Sequence, residues 1–342
     1  MLLEDLCQKI DIRKPVASAM KTGIDLDNMT VEEFVRSVNY SDHAMNMVKI
    51  STRALLGVEP SELSALYLLD YCKSAGGLLL MRSDGKHGGQ YLRLVKGVQS
   101  FSTCIAGELS ESSVVLNSPV RHIKQTDDGV LVESARGAFK CKRVVVSVPT
   151  PLYKEIVFEP PLPEAKVKLS EMTKLGFYAK SIAVYKRPWW RETGMCGLLQ
   201  SPNGPAAVVR DTSIESGDHY SLTTFLVGEP GRQWSKLSKV ERDKAVLDQL
   251  EKAFGPYARV EQPIEIVEQR WIREQWSQGC PCPVMPPGVL TKYGHALRSA
   301  FGKLHFVGTE TAYEWKGYMD GAVRSGERGA QEVIQKLGAA KL

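Results

Sequence analysis

Apolar positions recur at helical intervals over the first third of the chain and then alternate in short runs, which predicts helices followed by strands. Thr30-Val31-Glu32-Glu33 has the form of a capping box ahead of Phe34, Val35 and Val38. In such a box a Thr hydroxyl and a Glu carboxylate three residues on satisfy each other's backbone amides. Met45 to Leu56 repeats apolar residues at helical spacing, and a third helix is expected from Ser61, with Leu63, Leu66, Leu68 and Leu69 on or near its buried side. Arg82 to Gln90 reads as a turn-rich loop with His87 as a solvated residue, and Val95 to Gln99 leads into another helix.

Short strands are then expected at Ser113 to Leu116, Val120 to Lys124, Val130 to Glu133 and Arg143 to Val148, with Asp-Asp-Gly and Ala-Arg-Gly turns between them. They read as antiparallel pairs ending in one buried strand that Pro149 and Pro151 stop. A second mixed region runs from Ala165 to Trp276. Its strands are placed at Lys180 to Tyr185, Ala206 to Val209, Ser221 to Val227 and Ile264 to Trp271, and its helix over Ser238 to Phe254. No internal repeat or low-complexity tract interrupts this order.

Composition narrows the classes. At 342 residues, 43% hydrophobic and 24% charged, the chain can bury a substantial core and is expected to divide into two domains. A net charge of +5 spread along this length gives no basis for nucleic-acid binding or a polybasic membrane anchor. Seven cysteines, an odd number with no secretory leader ahead of them, favour a reducing compartment over a disulfide framework, and none has zinc-ligand spacing. No apolar run approaches the roughly twenty residues that a membrane-spanning helix requires. The terminal Ala340-Lys341-Leu342 is a variant of the Ser-Lys-Leu peroxisomal address.

The most informative segment is His305 to Arg328, HFVGTETAYEWKGYMDGAVRSGER, in which a short apolar strand, a polar turn and a glycine-punctuated helix follow one another. A helix starting near Gly317 offers free backbone amides and a positive dipole end, which would stabilise a ring that gains negative charge on reduction. The pattern GTETAxxWxGYMDGAVxxGER resembles the C-terminal flavin-binding segment of the flavin monoamine oxidase family over about twenty positions. The resemblance continues through Leu26 to Thr30, Asn117 to Val120, Ala179 to Trp190 and Trp271 to Cys280.

That resemblance implies an α+β fold with a mixed-sheet substrate domain and a partial FAD-binding domain, and FAD as cofactor. Residues 1–110 would be the helical part of the substrate domain and 111–160 the strands of the FAD domain. Residues 161–275 would carry the substrate-domain sheet and helix, and 276–342 the C-terminal FAD-binding segment. Val120 matches a valine at the adenine end of the cofactor, and Trp271, Thr309, Glu310, Tyr318 and Met319 match cofactor contacts. Lys180 matches a lysine that holds a water against the flavin; by pattern alone it is a surface lysine in an apolar strand. Cys280 matches a cysteine that carries the flavin through a thioether in some members; the alternatives are an inert thiol or attachment at Cys282. Tyr318 matches one wall of an aromatic cage that orients the amine. Pro281 stands where mitochondrial members place the second wall, which points to aliphatic amines. Gln90 and Phe225 match residues of the substrate cavity, although by pattern they are a loop amide and a core ring.

One family feature is missing from this stretch of sequence. No G-x-G-x-x-G turn follows a strand at the required spacing, so this stretch is expected to lack the N-terminal Rossmann βαβ unit and to hold FAD by its ring end and edges. The reaction implied is oxidative deamination of a primary amine by dioxygen to aldehyde, ammonia and hydrogen peroxide. The alternatives are a truncated noncatalytic relative, an interaction protein, or a polyamine oxidase. The expected partners are a small amine, dioxygen and the peroxisomal import receptor, with no nucleic acid, membrane or metal. The expected location is the peroxisome, or alternatively the cytoplasm.

Overall fold

The computed structural model describes residues 2–38 and 40–338, so Ala340-Lys341-Leu342 lies outside the described residues. The fold is α+β, and the chain divides into two compact units. The first comprises Met1–Asp27, Leu66–Thr173 and Gly288–Leu342, and the second Asn28–Ala65 and Lys174–Pro287. These contact-based boundaries differ from the divisions drawn from sequence. Of the first 110 residues only 28–65 pack with the second unit, while the amide of Leu66 donates to the carbonyl of Leu26 and returns the chain to the first.

In the first unit a four-stranded sheet places Val120–Gln125 between an antiparallel neighbour, Val130–Ser134, and a parallel one, Val157–Glu159, with Gly137–Cys141 at the far edge. Ile123, Val130, Val132, Val146, Tyr153, Leu304 and Phe306 form the buried cluster beneath it. Val144–Val146 does not close this antiparallel series as expected. It pairs in parallel with Leu304–Phe306, so a long-range contact rather than the adjacent hairpin decides its partner. Ser113 to Leu116 is not a strand: Val114, Val115 and Leu116 are exposed without a pairing partner, and Asn117 turns the chain at a φ of +54°.

The second unit is built on a five-stranded antiparallel sheet with Tyr178–Tyr185 and Tyr220–Val227 at its centre. The helix Lys239–Phe254 buries Val246, Leu250 and Phe254 in a cluster with Trp189, Trp190 and Trp234. Thr30 caps the helix Val31–Ser37 through the expected reciprocal bonds with Glu33. The expected helix from Ser61 is instead a single 3-10 turn, Pro60–Glu62. Leu63 is then extended and Ser64 bridges to Thr30, so regular helix begins only at Ala65. The helices Glu164–Met172 and Gly228–Trp234 are among those that the apolar pattern leaves unassigned. No helix among the described residues is long and apolar enough to cross a membrane.

Candidate functional site

In the first unit the predicted segment forms a strand at Leu304–Phe306, a 3-10 turn at Thr309–Thr311 and a helix at Met319–Leu337. Tyr318 is the N-cap of that helix and makes no side-chain capping bond, so the amides of the first turn are not closed off by their own cap. The Tyr318 backbone is held from below, because Thr309 Oγ1 donates to its carbonyl at 2.7 Å. Its hydroxyl accepts from Gln90 Nε2 at 3.4 Å, and Gln90 also donates to the carbonyl of Met81. The ring meets Trp315 edge-on at 5.4 Å and lies tilted against Tyr71 at 6.5 Å. Two of the predicted substrate residues, Gln90 and Tyr318, are thus in direct contact.

Backbone geometry explains why glycine precedes this tyrosine. Gly317 has a φ of +80°, and a Cβ there would come within 2.5 Å of Tyr71 Oη. One turn into the helix, a Cβ on Gly321 would lie 2.2 Å from the carbonyl oxygen of Trp315, so the helix can approach the turn that leads into it.

The other cofactor candidates of this unit are placed as follows. Met319 is the first helical residue and is exposed, and Val120 opens its strand half-buried beside the sheet cluster. Glu310 is 4% exposed, and its Oε1 accepts from the amide and hydroxyl of Thr150 at 2.9 and 3.0 Å. Burial raises its pKa above the usual carboxylate range, against the opposing pull of Thr150. Its carboxylate therefore ties the end of one strand to the polar turn.

In the second unit Lys180 pairs across the sheet with Phe225, and its ammonium lies 5.4 Å from the centroid of that ring. Phe225, Trp271 and Cys280 all pack against one cluster of Ile50, Tyr178, Ala207, Val208 and Val227. The sheet thus brings together four residues that the sequence spaces far apart. Burial pushes the Cys280 thiol up to about 12, with Lys180 pulling it down, so the sulfur carries its proton at neutral pH. Cys282 is buried two residues on.

The residues present suit the ring end of FAD. An uncapped helix start beside a tyrosine offers amide donors to an electron-rich edge, and the lysine over a phenylalanine offers a single positive charge in mostly apolar surroundings. Sequence reasoning missed Tyr71, Trp315 and the buried pair Asp70 and Lys316. The available signal was Asp70 itself, an acid inside the apolar run Ala65–Ser74, which requires a buried partner.

Residues 11–334 match the family model for flavin containing amine oxidoreductase. Flavin-containing amine oxidase B of Homo sapiens is 34% identical over 315 residues, covering 91% of this chain and 60% of the relative. The Bos taurus protein is 33% identical over 339 residues, covering 98% and 64%. The chain thus spans between 60% and 64% of the length of these curated relatives. Among solved structures, cyclohexylamine oxidase from Brevibacterium oxydans IH-35A superposes with a TM-score of 0.89 at 30% identity, covering 98% of this chain and 73% of that one. Wild-type putrescine oxidase bound to putrescine gives 0.89 at 29% identity, covering 97% and 73%. The chain belongs to the family of flavin-containing amine oxidoreductases, whose cofactor is FAD.

Proposed function

We propose that the protein oxidises a primary amine with dioxygen and water to an aldehyde, ammonia and hydrogen peroxide. The observation that carries this reading is Tyr318, which stands at the N-cap position of the helix Met319–Leu337 without capping it, its hydroxyl on Gln90 and its ring against Trp315 and Tyr71. FAD, held at its ring end by residues such as Tyr318 and Lys180, would supply the two-electron redox chemistry that links amine and dioxygen. Tyr318 presents a fixed π-face that orients the amine, and Gln90 holds the phenol in place. The amides that open the helix stabilise negative charge at its start. Lys180 holds a water by its ammonium, with Phe225 closing one side.

At the position where the resemblance implies a second aromatic wall this chain has Pro281, which supports a preference for aliphatic over aromatic amines. The neutral Cys280 thiol supports noncovalent FAD, because a thiolate is the nucleophile a thioether requires. Peroxide formation across a panel of hexylamine, benzylamine and spermidine tests the reading. Hexylamine turnover above benzylamine is expected. Activity confined to spermidine would make the protein a polyamine oxidase, and absence of peroxide with FAD present would remove the enzymatic reading.

We infer a peroxisomal location from Ala340-Lys341-Leu342, which an import receptor would take; catalase there would remove the peroxide. A fluorescent fusion bearing the native C-terminus should be punctate and become diffuse when the tripeptide is deleted. A diffuse signal in both forms would favour the cytoplasm.

A further inference from the structure

Asp70 and Lys316 form an ion pair at 1% and 3% exposure, buried in the first unit and used by no step of the proposed reaction. Two charges taken out of water are costly even when paired, and an apolar pair of similar volume commonly stabilises a fold as well or better. What the ionic pair adds is direction, since a hydrogen-bonded charge pair tolerates little displacement in a low-dielectric interior. The geometry around it shows what is being directed. Asp70 Oδ2 accepts from Lys316 Nζ, while Asp70 Oδ1 is buried without a hydrogen-bond partner among the described residues, so Lys316 supplies the directional contact to this carboxylate and Arg298 adds a charge nearby.

The pair is the deepest of several stitches between the helix Ala65–Ser74 and the turn 315–318. Ser74 accepts from the amide of Trp315 at 2.9 Å through its carbonyl and from the amide of Lys316 at 3.1 Å through its hydroxyl. Tyr71, the residue after Asp70, fills the space that Gly317 leaves open and meets the ring of Tyr318. Each partner of the ion pair therefore lies within two residues of an aromatic ring at the proposed amine position.

We propose that Asp70 and Lys316 are positioning residues that register the turn 315–318 against the helix Ala65–Ser74 and so set the placement of Tyr318. This rests on the reading of Tyr318 as the residue that orients the amine. Neither residue touches substrate; both act through Tyr318. Apolar replacement of the pair should then restore the fold without restoring the placement.

The test uses the full chain labelled with 3-fluorotyrosine, with the Tyr318 resonance assigned by Tyr318→Phe, in Asp70→Asn, Lys316→Met and the double variant Asp70→Leu with Lys316→Met. The single variants lose thermal stability, and the double variant regains most of it. All three move the Tyr318 fluorine resonance and, in FAD-loaded protein, lower kcat about tenfold while KM changes less than about threefold, the signature of lost orientation. A double variant that recovers both the wild-type resonance and the wild-type kcat would overturn the proposal and leave the pair a fold element. The resonance is read without added FAD. If the wild type proves unable to bind FAD or oxidise amines, the functional reading falls, while the resonance still decides whether the pair places Tyr318.

Discussion

Lys166 donates to the carbonyl of Ala296 at 2.6 Å, and its ammonium lies 3.6 Å from the centroid of the Phe306 ring. Burial, with the positive charge of Arg328 nearby, brings its pKa down from 10.5 to about 7. The unfolded chain therefore binds this proton more tightly than the folded one between those values, so this group's contribution to stability rises with pH across that window. Lys166→Met keeps the packing on the ring and removes the charge. It should gain roughly 1–3 kcal/mol over wild type at about pH 6, with the gain shrinking towards zero near pH 10. Urea denaturation at both pH values checks this, and a gain independent of pH would contradict it. Glu310 titrates with the opposite consequence. Its pKa is raised, so the stability it contributes is fully present below the usual carboxylate value and is lost as pH rises through its folded value. Glu310→Gln retains an acceptor for Thr150 and should leave thermal stability at neutral pH unchanged or higher. Glu310→Val leaves the Thr150 amide and hydroxyl without that acceptor and should cost about 1–3 kcal/mol.

At the scale of elements, the turn at Gly317 joins fold to site. Gly317→Ala must accept both a φ of +80° and a Cβ within 2.5 Å of Tyr71 Oη. It should destabilise the protein by about 1–3 kcal/mol and lower amine turnover more than FAD affinity, which a melt and a flavin titration separate. Where local chemistry settles an element, sequence was enough to read it. Thr30 with Glu33 forms the reciprocal bonds that its spacing implies, the helix expected over Ser238 to Phe254 spans Lys239–Phe254, and the central strands of the second unit fall within two residues of their expected limits. Where a distant partner decides, pattern did not suffice. Leu63 is extended because its carbonyl accepts from the amide of Val31, and Val144–Val146 takes its partner from the far end of the chain. The candidate site divides the same way. Tyr318 and Gln90 come from the resemblance and meet in the structure, whereas the contacts of Tyr71 and Trp315 with Tyr318, and Lys316 as the partner of Asp70, require the helix and the turn to be placed together.

In the molecule as a whole, each unit carries its own group of candidate residues. The first holds Gln90, Val120, Thr309, Glu310, Tyr318 and Met319, and the second holds Lys180, Phe225, Trp271 and Cys280. The proposed reaction depends on FAD, so orientation, substrate preference and peroxide release follow only when the cofactor binds. The visible absorption spectrum of the purified protein, taken after addition of FAD and removal of excess, tests cofactor binding most directly. A bound-flavin spectrum is expected, bleached by hexylamine without air and restored by dioxygen, with the flavin released to the supernatant on acid precipitation. A protein that stays colourless after incubation with FAD would contradict the proposed function.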